Sequence, residues 1–200
     1  MKLYYAPGAC SLAVHIALRE AGLPFDLVKV DLATHTLADG TDYRTISPRG
    51  YVPLLELDDG SRHTEASALL QYVGDTAPAS GLLPPVGSRG RLETIGWLAF
   101  IATEIHKGFG PLWRSDTPPA VRGATIETLQ RRFADLDTAL KTRDTLTGTF
   151  SIADAYAFTV VSWSGYHKVS LEAFPHLQAF LARIGSRPKV VEALRAEGLA

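Results

Sequence analysis

In this 200-residue chain, the groups able to do chemistry are one thiol, a few histidines and a carboxylate near a helix start. Cys10 is the only cysteine. It follows a strand-like run, Leu3 to Ala6, and the turn Pro7-Gly8-Ala9, and it precedes a helix-like stretch from Ser11 to Ala21. At a helix N-terminus, unpaired N–H groups and the macrodipole favour a thiolate. The competing reading is a small buried hydrophobe, the common fate of an isolated cysteine. Position alone does not separate the two. With no C-x-x-C and no second thiol, dithiol cycling and Cys-cluster chelation are excluded, so chemistry at Cys10 is monothiol with an external thiol as partner. His15, His35, His63, His106, His167 and His176 show neither H-x-x-H nor H-E-x-x-H spacing, so no metal site is expected.

Four further constellations stand beside the thiol. Val52-Pro53 precedes a strand, where a cis bond would turn the Val52 backbone toward the Cys10 turn and open it to an extended peptide ligand. An ordinary trans proline is the alternative. Thr64 reads as a helix N-cap, and Glu65 in the first turn either complements the dipole or, with the first N–H groups, grips the end of an amino acid. His106 shares a helical stripe with Ala99 and Ala102, which predicts a roomy surface such as a cleft, while Glu104 and Lys107 are spaced to pair with each other. Ser151-Ile-Ala-Asp154 matches a capping box, a structural device. The hydroxyls of Tyr5 and Ser11 are alternative donors near Cys10.

The elements that must position these groups fall into two kinds. Strand Leu3–Ala6, helix Ser11–Ala21 and strand Leu27–Val30 read as a β-α-β crossover. A short helix near Asp42 to Ile46, strand Leu54–Leu57, the turn Asp58-Asp59-Gly60, a partner strand Ser61–Thr64 and helix Glu65–Asp75 follow. This βαβαββα order is the thioredoxin-like pattern, an α/β layer over residues 1–78. Residues 79–87 lie in a Pro-, Gly- and Ser-rich stretch and read as a linker. From 88 to 200 helical periodicity dominates, with helices expected at 89–114, 120–141, 152–168, 175–186 and 188–196, the third being a central buried helix.

Bulk properties narrow the function. Hydrophobic residues are 46% of the chain, enough for a real core. A formal net charge of −1 gives no basic field for nucleic acid or anionic lipid. No apolar run suits a membrane span, and Pro7 and Gly8 interrupt the N-terminal run before a signal-peptide core forms. A single cysteine fits a reducing cytoplasm.

These residues together resemble a known family. Met1 to Leu12 with its Pro-Gly-Ala-Cys-Ser run, Gly50-Tyr-Val-Pro53, Leu57-Asp-Asp-Gly60, Thr64-Glu65, Ile101 to Phe109 and Ser151-Ile-Ala-Asp-Ala155 are similar to the bacterial beta-class glutathione S-transferases, nearly from end to end. The resemblance implies a homodimer with a thioredoxin-like first domain that holds glutathione and an all-helical second domain, and a hydrophobic electrophile between them. It implies glutathione as co-substrate and no permanently bound cofactor. It also implies that Cys10 contacts the glutathione sulfur, that Val52 and Pro53 present backbone to its cysteinyl residue, and that Glu65 and the Ala66 N–H hold the γ-glutamyl end. His106 acts in the cleft, with Thr103 and Glu104, the latter from the partner subunit, near the γ-glutamyl amine. Tyr5, Lys107, Phe109, Trp113 and Tyr166 line the electrophile site. His35 stands where the family carries Lys, so the glycyl carboxylate meets a part-time cation, and binding is expected to weaken above about pH 6.5. Ala99 stands where the family tends to carry Asn.

The reaction implied is attack of the glutathione thiolate on a soft electrophile. Two other readings stay open at this point: thiol-transferase or peroxidase chemistry through a Cys10 mixed disulfide, and non-catalytic binding of apolar compounds.

Overall fold

The computed structural model describes residues Met1–Ala200. Strand β1 (Lys2–Tyr5) lies at the centre of a five-stranded sheet of order β3-β2-β1-β4-β5. It runs parallel to β2 (Asp26–Asp31), and helix α1 (Ser11–Glu20) is the crossover between them. Strand β4 (Leu54–Glu56) pairs antiparallel with β1, and β5 (Arg62–Thr64) with β4. Leu3, Leu54 and Leu55 are almost wholly buried, which makes β1–β4 the dry centre of the layer. Helix α1 buries every residue from Ser11 to Leu18, as a helix covered on several sides must. Helix α2 (Ala66–Thr76) packs against it.

Three local expectations are corrected. The short helix expected at Asp42–Ile46 is a single 3-10 turn, Tyr43–Thr45, capped by the Asp42 carboxylate. A two-residue edge strand β3 (Thr36–Leu37) was not foreseen, because two residues carry no alternation. Thr64 ends β5 instead of capping α2; the N-cap is Glu65, with a positive φ of 71°, so Glu65 stands outside the first helical turn.

Two compact units form: Met1–Leu83 with Arg187–Ala200, and Pro84–Ser186. The expectation ended the first unit at residue 78 and gave the last helix to the helical half. Instead α7 (Pro188–Glu197) packs on α1, and Arg187 makes a two-pronged pair with Glu20 at 2.7 and 3.0 Å. Leu83, from the stretch expected to be a linker, lies against Gly74 of α2.

The second unit contains α3 (Arg89–Phe100), α4 (Pro119–Leu140), α5 (Ile152–His167) and α6 (Pro175–Gly185). The single helix expected over 89–114 changes winding twice, to a π-helical stretch at Ile101–His106 and a 3-10 stretch at Lys107–Trp113. Gly108, Gly110 and Pro111 disfavour continued α winding, and Pro111 lacks the N–H it would need. Helix α5 is buried on nearly every side, as its composition predicted; only Ser162, Gly165 and Tyr166 are exposed. Its capping box is present, and buried Asp154 accepts from the Ser151 N–H, the Ser151 hydroxyl and the Leu146 N–H, each at 2.8 Å. Burial pushes the Asp154 carboxyl pKa up against the pull of these donors. No helix is long and apolar enough to cross a membrane.

Candidate active site

In the first unit the chemistry gathers around one short segment, Arg49–Val52. Cys10 is the N-cap of α1, half-buried, and its S–H donates to the Val52 carbonyl at 3.3 Å. The sulfur is therefore hydrogen-bonded as a thiol at a helix N-terminus. The Val52–Pro53 peptide is cis, the reading that places the Val52 backbone toward the Cys10 turn. Two residues before Val52, the ring of His35 lies against the open face of Gly50; a Cβ there would sit 2.6 Å from His35 Nδ1, which is buried and has no hydrogen-bond partner. One residue before that, Arg49 Nη1 donates to Glu65 Oε1 at 3.4 Å, with both side chains exposed. So Cys10, His35 and Glu65, far apart in sequence, each touch one residue of the same four-residue segment.

A buried tyrosine that sequence reasoning missed holds that segment from behind. Tyr43 is fully buried, and its hydroxyl donates to the Tyr51 carbonyl at 2.9 Å. Burial pushes its pKa up to about 12, so it remains a donor across the working range. No period or motif marks it. At the start of α2, helix geometry leaves the N–H groups of Ala66 and Ser67 without intrahelical acceptors.

The two alternative hydroxyl donors take other roles. Ser11 is fully buried, and its Oγ bridges the N–H and C=O of Ala6 at 3.3 Å each, tying the start of α1 to the end of β1. Tyr5 is only 7% exposed and leans toward His15, their rings 6.3 Å apart; burial, then the Glu197 charge, raise its pKa.

In the second unit His106 closes the π-helical stretch. Its Nδ1 is 2.6 Å from the Tyr156 hydroxyl, and its ring meets Trp163 edge-on at 5.1 Å. Desolvation, then the neighbouring Lys107 charge, lower its pKa to about 4, so the imidazole is neutral at pH 7. The roomy surface expected at His106 is thus a half-buried aromatic niche. Glu104 does not pair with Lys107; it accepts from Arg132 Nε at 2.8 Å. Thr103 is exposed and donates to the Ala99 carbonyl at 3.0 Å. Of the residues expected to meet an electrophile, Trp113 and Tyr166 are exposed and stacked, 5.4 Å apart and 26° from parallel. Lys107 is exposed and borders an open, mostly apolar groove with Pro111, Val121 and Ala124. Phe109 is corrected: it is fully buried among Phe133, Trp163 and His167 and contributes to the core instead of a binding surface.

The sequence and the fold match known proteins over the whole chain. Residues 8–76 match the glutathione S-transferase N-terminal domain, and residues 100–188 match the C-terminal domain. The chain is 49% identical, over the full length of both proteins, to glutathione S-transferase GstA of Escherichia coli O157:H7. It superposes on the ternary complex of BphK, a bacterial GST, with TM-score 0.97, 48% identity and full coverage of both chains. A sphingomonad glutathione S-transferase complexed with glutathione gives TM-score 0.95, 45% identity and full coverage of both. On these grounds the chain belongs to the bacterial glutathione S-transferase family.

Proposed function

We propose that this protein joins the sulfur of glutathione to soft, apolar electrophiles, a detoxifying conjugation carried out as a cytoplasmic homodimer. The observation that carries the reading is the convergence of Cys10, His35 and Glu65 on Arg49–Val52 within a thioredoxin-like unit. An extended tripeptide along that segment has a partner for each part. The Val52 backbone receives the cysteinyl residue, His35 receives the glycyl carboxylate, and Glu65 with the Ala66 N–H receives the γ-glutamyl end. Cys10 then faces the substrate sulfur. The glutathione proton passes to solvent, a sulfur–carbon bond forms, and the leaving group departs with its bonding pair. A free thiol of pKa near 8.5 is only a few per cent ionised at neutral pH, so lowering that value by about two units gives a mostly ionised nucleophile. The first unit serves as the glutathione domain. The second lines the electrophile site with Trp113, Tyr166 and Lys107, and neutral His106 serves as a hydrogen-bonding wall instead of a cation.

The test pairs the native enzyme with Cys10→Ala. The native protein is expected to bind glutathione and consume an activated chloroaromatic, and the variant is expected to lose all glutathione-dependent disulfide exchange. Conjugation that survives in the variant would assign the sulfur's activation to groups other than Cys10. Glutathione binding with no turnover of any electrophile by the native protein would overturn the reading in favour of apolar sequestration.

A further inference from the structure

We propose that Glu197, in the last helix, is a positioning residue for the Cys10 turn. The turn Pro7-Gly8-Ala9 leaves the end of β1 and delivers Cys10 to the start of α1, and Gly8 within it has φ 70°, a conformation that glycine takes at little cost. The Gly8 N–H, two residues before the thiol, donates to Glu197 Oε2 at 2.9 Å. Glu197 lies 189 positions away in sequence and is only 6% exposed. Leu199 covers the same spot, its side chain 3.7 Å from where a Gly8 Cβ would stand.

The other carboxylate oxygen is held in turn. His15 is fully buried in α1, and its Nδ1 is 2.8 Å from Glu197 Oε1. Arg19 Nε lies 2.7 Å from His15 Nε2. A guanidinium has only donors, so Nε2 must accept, which places the ring proton on Nδ1, aimed at Glu197. Arg19 is braced by Glu192, at 3.5 Å, and lies over the Phe25 ring at 5.7 Å. The chain of contacts Arg19–His15–Glu197–Gly8 therefore runs from solvent through the interior to the backbone that carries the thiol. Both Glu197 oxygens accept N–H donors, so neither is free to swing, and the carboxylate pins the turn where its hydrogen bond has one geometry. The assignment rests on the proposed role of Cys10 in catalysis, but the pinning itself can be read without turnover.

The experiment compares Glu197→Gln with Arg187→Gln. Arg187 anchors the same helix to Glu20 at the C-terminal end of α1, whereas the Gly8 N–H is held by Glu197, so its variant loosens α7 without removing that carboxylate. The readout is the rate of iodoacetamide alkylation of Cys10 from pH 5.5 to 9.5, followed by mass, beside thermal melting and the KM for glutathione. Glu197→Gln is expected to slow alkylation at pH 7 at least five-fold, to move the midpoint of the rate profile upward, and to raise KM more than it lowers kcat. Arg187→Gln is expected to lower the melting point while leaving the profile within two-fold. A downward shift of the midpoint would mean Glu197 acts only as a nearby negative charge, which opposes a thiolate, and would overturn the proposal. So would an unchanged profile, or an equal slowing in Arg187→Gln. Should Cys10→Ala retain full conjugation, the catalytic reading of Cys10 falls, and the alkylation profile still decides whether Glu197 pins the turn.

Discussion

Protonating His106 should cost this protein measurable stability, and its surroundings give the size. The ring is wedged between the Tyr156 hydroxyl and the edge of Trp163, where desolvation and then the Lys107 charge bring its pKa from 6.5 to about 4. In the unfolded chain the same ring regains an ordinary value near 6.5. Between those values the unfolded state holds more protons than the folded one, so stability is full above about pH 6.5 and is lost as pH falls toward 4. Integrated from pH 7 to pH 5, the difference is about 2 kcal/mol, and about 3 kcal/mol once both states are protonated. His167, whose pKa burial also lowers, adds loss of the same sign. Asp154, raised by burial, has the opposite sign. The comparison that isolates His106 is therefore native against His106→Gln, in urea at fixed protein concentration, at pH 7 and pH 5. The native protein should lose about 2 kcal/mol more than the variant across that interval. Proton NMR of the imidazole gives the direct check. A ring titrating between pH 6 and 7, or equal losses in both proteins, would refute the neutral, desolvated His106.

Two further outcomes follow from the geometry. Asp154→Ala strands three buried donors, the Leu146 and Ser151 N–H groups and the Ser151 hydroxyl, at about 1–3 kcal/mol each, so the urea midpoint should fall by the equivalent of at least about 3 kcal/mol. A change under about 1 kcal/mol would mean the box is not holding α5. Gly50→Ala should cost about 1 kcal/mol for a side chain at φ 67° and drive His35 off its seat, because the new Cβ would stand 2.6 Å from Nδ1. Glutathione affinity by calorimetry should drop several-fold, and an unchanged affinity would remove His35 from the glutathione site.

The order of elements, the cysteine at the mouth of α1, the proline before β4, the capping box and the all-round burial of α5 were legible in the amino-acid sequence. Each depends on neighbours in the chain or on a repeat of two or three-and-a-half residues, and such signals survive without a partner. The family, too, was legible from short runs read in line. What the chain could not disclose was which distant groups meet. The Val52 carbonyl that accepts the Cys10 hydrogen bond is 42 positions away, the tyrosine beside His106 is 50 away, and the carboxylate behind Gly8 is 189 away. The winding of residues 101–113 and the burial of Phe109 among Phe133, Trp163 and His167 were likewise hidden. Periodicity reports that a face is covered, not what covers it. The protonation of His106 and the hold on the thiol's turn depend on that second fact, because desolvation and hydrogen bonding act over a few ångströms of space, whatever the separation along the chain.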